Sequence, residues 1–535
     1  MAKKPTVAKN SPSQEEDLEI KRLRAANEDW KEYDPKWKFY LSAYEGGEAF
    51  IKSDNIFKHV REVQSDYEDR LKRAHNMNYC EPLVDFFTNF IFTEVIDRNG
   101  GNNAPFYSDF KSNVNRRGDN IDSFMRQVSD DDQIFGMSYI IVDMPKVDTS
   151  KLLTKQDQID ANIMPYWTLV KPTEFIDWVV DDFGVLQYMK RKQMQRKVAG
   201  DGTIRELEHY TEFYPDHFDV TDIDVTIKDE IQLLPKETTV NQLGEIPIVI
   251  ARYKRSKETP FMGLSFLRDF AYNNREILNL TSLIDEFLYR QCFNILAIPT
   301  DSSIELGSQH EGNVGTANAL TFPMGGKAPE YISPPVDPAK FIQEERSRIK
   351  NEMFTRAAQD ALNELYNGEG SSGFSQAQSF SKTVPFISSR ADELELTETR
   401  LMELTMKWLN KEWDGKIKYK DRYELTNFTD ALTQFQMLAR DLQLPSETFV
   451  KEELKRLYHE YDGKLSDDLV AKINKEIDAM DFKGWMETQK EALVGGQGNS
   501  PGDQQKPKSK GTTAEAAAEG NNQTSNAATN KVKKK

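Results

Sequence analysis

The chain has 535 residues and a formal net charge of −17 at pH 7, so its length allows about two to four domains and its acidity argues against a strongly basic nucleic-acid clamp as the dominant surface. Two cysteines, Cys80 and Cys292, are too few for a disulfide framework, and we expect both to be buried in a protein from a reducing compartment. No apolar run reaches the roughly 18 residues of a membrane span, and the first residues lack an apolar signal core, so we expect a soluble protein.

The first half of the chain has a helical pattern followed by a strand pattern. After an arm over residues 1–30 that we expect to be flexible, NIFKHVREVQSDYEDRLKRA, YCEPLVDFFTNFIFTEVI and IDSFMRQVSDDDQIFG have helical spacing, the last ending near Gly136. MSYIIVDMP, PYWTLVKPTEFIDWVVDDFGVLQYMKRKQMQRKV, IRELEHYTEFYPDHFDVTDI and IPIVIARY are typical of strands. Residues 31–262 therefore predict an α+β domain with an antiparallel sheet.

Three long helices are predicted next. SFLRDFAYNNREILNLTSLIDEFLYRQ carries one apolar stripe and would span about 40 Å. Short strands and turns follow, and a second helix begins at Asp337-Pro338, an acidic N-cap before proline. A glycine-rich break, YNGEGSSGFSQ, precedes a third helix from Ser375 to Glu412, in which Pro385 should cause a kink or a split.

The remaining pattern is helical and then low in complexity. NFTDALTQFQMLARDLQL, ETFVKEELKRLYHEYDG and LSDDLVAKINKEIDAM predict a compact helical bundle. From Gly496 to Lys535 there are seven lysines against three acidic residues, a net charge of +4 that leaves −21 for the rest of the chain. This segment has no aromatic residue, so it predicts a disordered basic tail.

One stretch, TFPMGGKAPEYISPP, looks like the end of a phosphate-binding loop. Counting back from Gly326-Lys327, Thr321 stands where such a loop needs its first glycine. Ala328 then replaces the magnesium-binding hydroxyl, and Pro329 follows where a helix should begin. We therefore interpret the stretch as a shaped turn and not as a nucleotide site.

Other candidate chemistry is equally weak. DDFG at 181–184 resembles the kinase metal-binding triplet, but without a His-Arg-Asp loop it is better explained as a hairpin turn with Gly184 at positive φ. The six histidines show no metal-ligand spacing, and neither Gly-x-Ser-x-Gly nor CxxC occurs. The aromatic-rich YWTLVKPTEFIDW could stack on bases, although a buried sheet face is the simpler interpretation. No residue is identified as catalytic, cofactor-binding or metal-binding.

The order of these elements resembles the portal proteins of tailed bacteriophages. PYWTLVKPTEFIDWVVDDFGVLQYM resembles a wing sheet, and GLSFLRDFAYNNREILNLTSLIDEF resembles a first stem helix. LTFPMGGKAPEYISPP leading into Asp337-Pro338 is similar to the exit from the clip into the second stem helix. SSGFSQAQSFSKTVPFISSRADELELTETRL is similar to the edge of a tunnel loop and the long helix after it.

The resemblance implies a portal-like α+β fold with a set order of parts. The parts are the N-terminal arm (1–30), wing (31–262), stem helix 1 (263–292), clip (293–335), stem helix 2 (336–363), tunnel loop region (364–375), a long kinked helix returning to the wing (376–425), helical crown (426–495) and basic tail (496–535). It also implies a ring of twelve subunits at one capsid vertex, through which double-stranded DNA is packaged and ejected without sequence specificity. Such a ring has no catalytic site, cofactor or metal.

The implied partners are other copies of the chain, the large terminase subunit, head–tail adaptor proteins, and the major capsid and scaffolding proteins, with no membrane. The implied location is the virion, and the host cytoplasm during assembly. Expected DNA-facing residues are Arg346, Arg348, Lys350 and Arg356 of the second stem helix, and Ser371, Ser372 and Phe374 of the tunnel loop. Expected terminase-facing residues of the clip are Gly325, Gly326, Lys327 and Glu330.

Three alternatives stay open at this stage. The four basic residues of the second stem helix stand among Glu344, Glu345 and Glu352, so they could form salt bridges on a solvated face and make no DNA contact. The chain could be an enzyme of unrecognised class with the acidic wing sheet as its cleft. It could also be another capsid-associated or scaffolding protein that shares the helical order.

Overall fold

The computed structural model describes residues 14–93, 95–145, 164–200, 202–227, 230–291, 296–300, 319–323, 337–359, 381–420, 423, 447–461 and 467–480. The chain divides into two compact units, Met1–Thr426 and Asn427–Lys535. The first unit combines helices with antiparallel sheets, which confirms the α+β class and the predicted antiparallel sheet.

The helices are α1 (Gln14–Arg24), α2 (Glu28–Glu45), α3 (Gln64–Arg73), α4 (Cys80–Thr93), α5 (Ala104–Phe110), α6 (Ile121–Phe135), α7 (Leu267–Gln291), α8 (Asp337–Arg356), α9 (Val384–Trp408), α10 (Glu447–Tyr461) and α11 (Asp467–Asp478). Short helical turns occupy Gly47–Phe50, Ile51–Asn55, Gly101–Asn103 and Pro172–Glu174. The predicted starts at Ser265 and at Asp337 agree with α7, within two residues, and with α8.

The strands are β1 (Asp97–Asn99), β2 (Met137–Asp143), β3 (Tyr166–Val170), β4 (Phe175–Val180), β5 (Leu186–Val198), β6 (Ile204–Phe213), β7 (His217–Ile227), β8 (Glu230–Leu233), β9 (Glu237–Val240), β10 (Ile248–Arg252), β11 (Leu296–Thr300), β12 (Ala319–Pro323) and β13 (Lys416–Lys418). One sheet has the order β10-β2-β3, and a larger sheet has the order β4-β5-β6-β7-β8, with β9 also pairing with β7. Strands β1 and β13 pair antiparallel, whereas β11 and β12 pair parallel.

The junction between α6 and β2 lies at the centre of the core. The side chain of Asn120 caps α6 by accepting a hydrogen bond from the N–H of Ser123 at 2.8 Å. Gly136 ends the helix at a φ of 89°, and a Cβ there would lie 2.5 Å from the carbonyl carbon of Leu264. Glycine is therefore required both for the conformation and for the close approach of the two backbone segments.

Three local predictions are confirmed by this architecture. Trp167 and Phe175 of the aromatic-rich stretch are fully buried, so that stretch is a core face of the sheets. Gly184 has a φ of 79°, and its N–H donates to the carbonyl of Asp181 at 3.0 Å in the turn between β4 and β5. Cys80 is buried, and burial raises the pKa of its thiol. Cys292 lies outside the described residues.

The described part of the N-terminal arm, which begins at residue 14, is helical where the sequence suggested a flexible segment. Residues 14–24 form α1, whose Ile20 and Leu23 are buried on the larger sheet against Tyr210 and Ile223. Arg22 donates to both carboxylate oxygens of Glu212 at 2.7 and 2.8 Å. The two apolar contacts and the charge-assisted hydrogen bonds to Glu212 are enough to dock this short helix. The polar composition of the segment hid its apolar face in the sequence.

Helices also begin and end at places that the pattern did not predict. The segment before α3 is not helical, because Asp54 adopts a left-handed φ of 55° and the N–H of Phe57 donates to the side chain of Asn279. The helix α8 ends at Arg356, before Ala358 with a φ of 55°. At the end of α9, Asn410 has a φ of 54°. In both cases a left-handed residue ends the helix earlier than the apolar spacing indicates.

Pro385 lies in the first turn of α9. The missing N–H of proline costs nothing at that position, so the proline begins this helix and does not kink it. The helix then ends at Trp408, and the chain continues into β13 instead of remaining helical toward residue 425. Residues 375–380 of the predicted helix lie outside the described residues.

The second unit is described through two helices, α10 and α11, which pack against each other. Lys455 of α10 lies 2.8 Å from a carboxylate oxygen of Asp478 in α11. Lys451 donates to the backbone carbonyl of Asp478 at 2.8 Å. The remaining predicted helix of the bundle, residues 427–444, lies outside the described part of the chain.

Candidate nucleic-acid interface

The helices α7 and α8 form an antiparallel pair that extends from the α+β body. The first half of α7 is buried in the body, with Leu267, Ala271 and Ile277 in the core. Its last described turns are exposed, including Leu288 and Tyr289. Asp269, near the start of α7, lies 3.2 Å from Arg356 at the end of α8, which fixes the antiparallel direction.

The middle of α7 is anchored to the body through polar contacts with α3. Arg70 donates to the hydroxyl of Ser282 at 2.9 Å and to the carboxylate of Glu62 at 2.8 Å. Arg73 forms an ion pair with Glu286. Because the guanidinium of Arg70 is buried, these hydrogen bonds are costly to leave unmade, and they restrain the helix where it leaves the body.

The helix α8 has one apolar stripe and one charged stripe. Ile349, Met353 and Phe354 are buried. A neighbouring stripe alternates acidic and basic residues at helical spacing, with Glu345, Arg348, Glu352 and Arg356. This charged stripe contains two of the four basic residues expected to face DNA.

Both arginines of the charged stripe are paired with carboxylates. Arg348 donates to Glu345 at 2.7 Å and to Glu352 at 2.9 Å, and this hydrogen bond lowers the pKa of Glu345. Arg356 lies 3.2 Å from Asp269 and 4.0 Å from Glu352. The stripe is therefore close to charge-balanced, and it presents a mixed field instead of a continuous basic track.

The other expected contact residues are placed differently or lie outside the described residues. Arg346 is half-buried, with a guanidinium nitrogen 4.0 Å from the sulfur of Met77, and Lys350 is also half-buried. Outside the described residues lie Ser371, Ser372 and Phe374 of the tunnel loop, and Gly325, Gly326, Lys327 and Glu330 of the clip.

The helix α9 returns into the core of the body, and sequence reasoning missed the contacts that hold it there. Arg390 donates to both carboxylate oxygens of Asp132 in α6, and both side chains are buried. The indole N–H of Trp167 donates to the hydroxyl of Thr405 at 2.8 Å. The one sequence signal was Asp132 itself, an acid four residues after Val128 on the apolar side of α6.

A cavity of about 690 Å³ lies between the two sheets of the body, and it is the natural candidate for an enzyme cleft. The Nδ1 atom of His209 lies 2.5 Å from a carboxylate oxygen of Asp222. Its Nε2 atom lies 3.3 Å from the hydroxyl of Thr211. A hydroxyl, an imidazole and a carboxylate thus occur in the order used by nucleophilic hydrolases.

The surroundings of this cluster do not complete a hydrolase site. Strand β6, which carries His209 and Thr211, pairs on one side with β5 and on the other with β7. Its backbone amides lie in the plane of the sheet and are committed to the ladders, so they cannot serve as oxyanion donors in the cavity. The Nζ atom of Lys197 also forms an ion pair with a carboxylate oxygen of Asp222 at 2.9 Å. The side chains of this cluster therefore serve one another as hydrogen-bond and ion-pair partners across neighbouring strands.

Among the described residues, no three histidine, cysteine or acidic side chains converge as a metal site would require. None of the described helices is both long enough and apolar enough to cross a membrane.

Comparisons with known proteins add little to this picture. No protein-family model matches the chain, and no curated protein matches it. Among solved structures, a chain from the virion of a native gene transfer agent particle aligns over 76% of this chain and 96% of its own length, with a TM-score of 0.38 and 10% sequence identity. At that TM-score the likeness carries no functional argument.

Proposed function

We propose that this chain is a portal subunit, which forms a ring at one capsid vertex, passes double-stranded DNA and docks the packaging and head-completion proteins. The observation that carries the proposal is the order of elements after the α+β body. The helix α7 leaves the body, β11 and β12 pair, α8 runs back along α7, and α9 re-enters the core. This order supports the parts that the sequence resemblance implies.

The mechanical role agrees with the way the long helices are held. A channel wall must keep its shape while a stiff polymer moves past it, so its helices need fixed attachments. The contacts of Arg70 and Arg73 restrain α7, and the pair between Arg390 and Asp132 restrains α9. Buried ion pairs of this kind fix geometry more than they add stability.

The electrostatics support passage of DNA in preference to binding. Each phosphate neutralised by a lysine or arginine releases a counterion and adds affinity, so a basic track would slow a moving duplex. The pairing of Arg348 and Arg356 with carboxylates reduces this effect. We propose that the charged stripe of α8 faces the channel and that its acids prevent tight binding.

The clip and tunnel loop complete the proposal. Residues 293–335, with Gly325, Gly326, Lys327 and Glu330, would contact neighbouring subunits and the terminase, and Ser371, Ser372 and Phe374 would approach DNA most closely. Deletion of residues 305–330 should then abolish ring formation or terminase binding. A deleted chain that still assembles and packages DNA would contradict this assignment.

The direct test of the proposed function is the oligomeric state of the purified chain. A ring with an open centre supports it, and a chain that never assembles contradicts it. The enzyme alternative has one observation in its favour, the cluster of Thr211, His209 and Asp222. Turnover of ester or amide substrates that is lost in Thr211→Val would favour an enzyme.

A further inference from the structure

An exposed patch of aromatic and basic side chains lies where α7 meets the segment before α3. The guanidinium of Arg275 lies 5.0 Å from the ring centroid of Tyr272 and 5.1 Å from those of Phe39 and Phe57. Phe57 is 54% exposed, Tyr272 is 45% exposed and the neighbouring Val60 is 98% exposed. We call this surface, with Arg61, the Arg275 patch.

The Arg275 patch is positively charged on an acidic protein. Within the described part of the chain, no carboxylate pairs with the guanidinium of Arg275 or of Arg61. Glu62, the nearest acid in sequence to Arg61, pairs instead with Arg70 at 2.8 Å. Arginine and aromatic side chains are enriched at the centres of protein–protein interfaces, so the guanidinium of Arg275 against its aromatic rings suits an acidic and apolar partner.

A complementary surface occurs at the tip of the β4–β5 hairpin. Phe183 is 92% exposed, and Val179 and Val185 are each more than half exposed. Asp182 is exposed beside them. The turn is rigid, because a carboxylate oxygen of Asp181 accepts hydrogen bonds from the N–H groups of Phe183 at 2.9 Å and Val185 at 2.8 Å. The exposed phenylalanine and the two exposed valines offer apolar surface whose burial against a partner would be favourable.

We propose that the hairpin tip of one subunit docks on the Arg275 patch of the next subunit, an inference that rests on the proposed ring. The ring of Phe183 would pack against Phe57 and Tyr272, and the carboxylate of Asp182 would face Arg275. The charges are opposite and the apolar parts match, so the occupant is a second copy of this chain. Because the two surfaces differ, the contact is head-to-tail, which is the kind of interface that closes into a ring.

Photo-cross-linking tests the contact directly. Phe183→p-benzoylphenylalanine is introduced into the full chain, and oligomers are assembled from an equal mixture of isotopically heavy and light chains. The expected products are heavy–light cross-links to peptides containing residues 57–63 or 268–276. Cross-links between chains that fall in other segments would overturn the inference.

A matched pair of variants gives an independent readout. Phe183→Ala should raise the protein concentration needed for half-assembly about tenfold, as expected for a central aromatic contact, while leaving the melting temperature unchanged because the side chain is exposed. Val198→Ala removes another exposed side chain, at the far end of β5, and should leave assembly unchanged. Equal assembly of Phe183→Ala and wild type overturns the contact.

The outcomes separate the contact from the proposed function. A wild-type chain that forms no oligomer contradicts the ring and with it the contact. A wild-type chain that forms rings, with cross-links outside the Arg275 patch, contradicts the contact alone.

Discussion

Arg98 of β1 donates to both carboxylate oxygens of Glu398 in α9, at 2.7 and 3.0 Å. The two side chains are 9% and 0% exposed, and the hydroxyl of Tyr419 donates to the same carboxylate at 2.7 Å. This buried pair joins residues 300 positions apart and fixes the helix that follows the proposed tunnel loop to the body.

Breaking this pair should destabilise the first unit strongly. Glu398→Gln keeps the size of the side chain but removes the buried carboxylate from Arg98, whose remaining charge partner is the largely exposed Asp122 at 2.6 Å. The change should cost about 3 kcal/mol, the lower end of the range for a broken buried pair. Urea denaturation measures the loss. Glu403→Gln, which disrupts an exposed pair with Arg400, should cost less than about 1 kcal/mol, and equal losses in the two variants would contradict the special role of the buried pair.

The carboxyl group of Asp131 should make the free energy of unfolding depend on pH in a specific direction. Burial raises its pKa to about 7, from an ordinary value of 3.8. Because the folded pKa lies above the unfolded one, Asp131 contributes stability that is fully present below pH 3.8 and is lost as pH rises through 7. Asp131→Asn should therefore match the wild type near pH 4 and exceed its unfolding free energy by about 1 kcal/mol or more at pH 8.

The check is a pair of urea titrations at pH 4 and pH 8 for the wild type and for Asp131→Asn. The sign of the difference is the decisive quantity. A variant that is less stable than the wild type at pH 8 would mean that the Asp131 carboxylate is stabilised in its charged form, against the direction given above.

The docking of α1 depends on Arg22, which contacts Glu212 at 2.7 Å beside the hydroxyl of Tyr188. Arg22→Ala removes both hydrogen bonds to Glu212 and should increase hydrogen exchange of the α1 amides by about tenfold, since a charge-assisted contact is worth about 1.5 kcal/mol or more. Lys21→Ala, on the exposed side of the same helix, is the control. Unchanged exchange in Arg22→Ala would show that the buried Ile20 and Leu23, together with the pair between Arg24 and Glu208 at 2.8 Å, hold the helix without Arg22.

The acids of the charged stripe on α8 give a test of the channel electrostatics. The double variant Glu345→Gln and Glu352→Gln frees Arg348 from its partners. It should raise the affinity of the proposed ring for non-specific double-stranded DNA about tenfold, with a steeper dependence on salt. Binding is measured at several salt concentrations. Glu206→Gln, which disrupts a similar exposed pair on the larger sheet, should not change it.

Local features of the fold were predictable, whereas features made by distant residues were not. The start of α8 at Asp337 and the turn at Gly184 follow from the preferences of one or two neighbouring residues. The early ends of α8 and α9 depend on Ala358 and Asn410 in left-handed conformations, which only tertiary packing selects.

The candidate sites show the same division. The charged stripe of α8 was visible in the sequence because its partners are three and four residues apart. The pair of Arg98 and Glu398 depends on strand β1 meeting a helix far along the chain. The contact of His209 with Asp222 depends on the register of β6 against β7, which periodicity alone does not define.

Light scattering of the purified protein, with negative-stain images of the same peak, decides whether this chain forms a ring with an open channel. The subunit mass is 61.6 kDa, and a portal ring should give a mass of about a dozen subunits and images with a central hole. A monomer or dimer at every protein and salt concentration would contradict it.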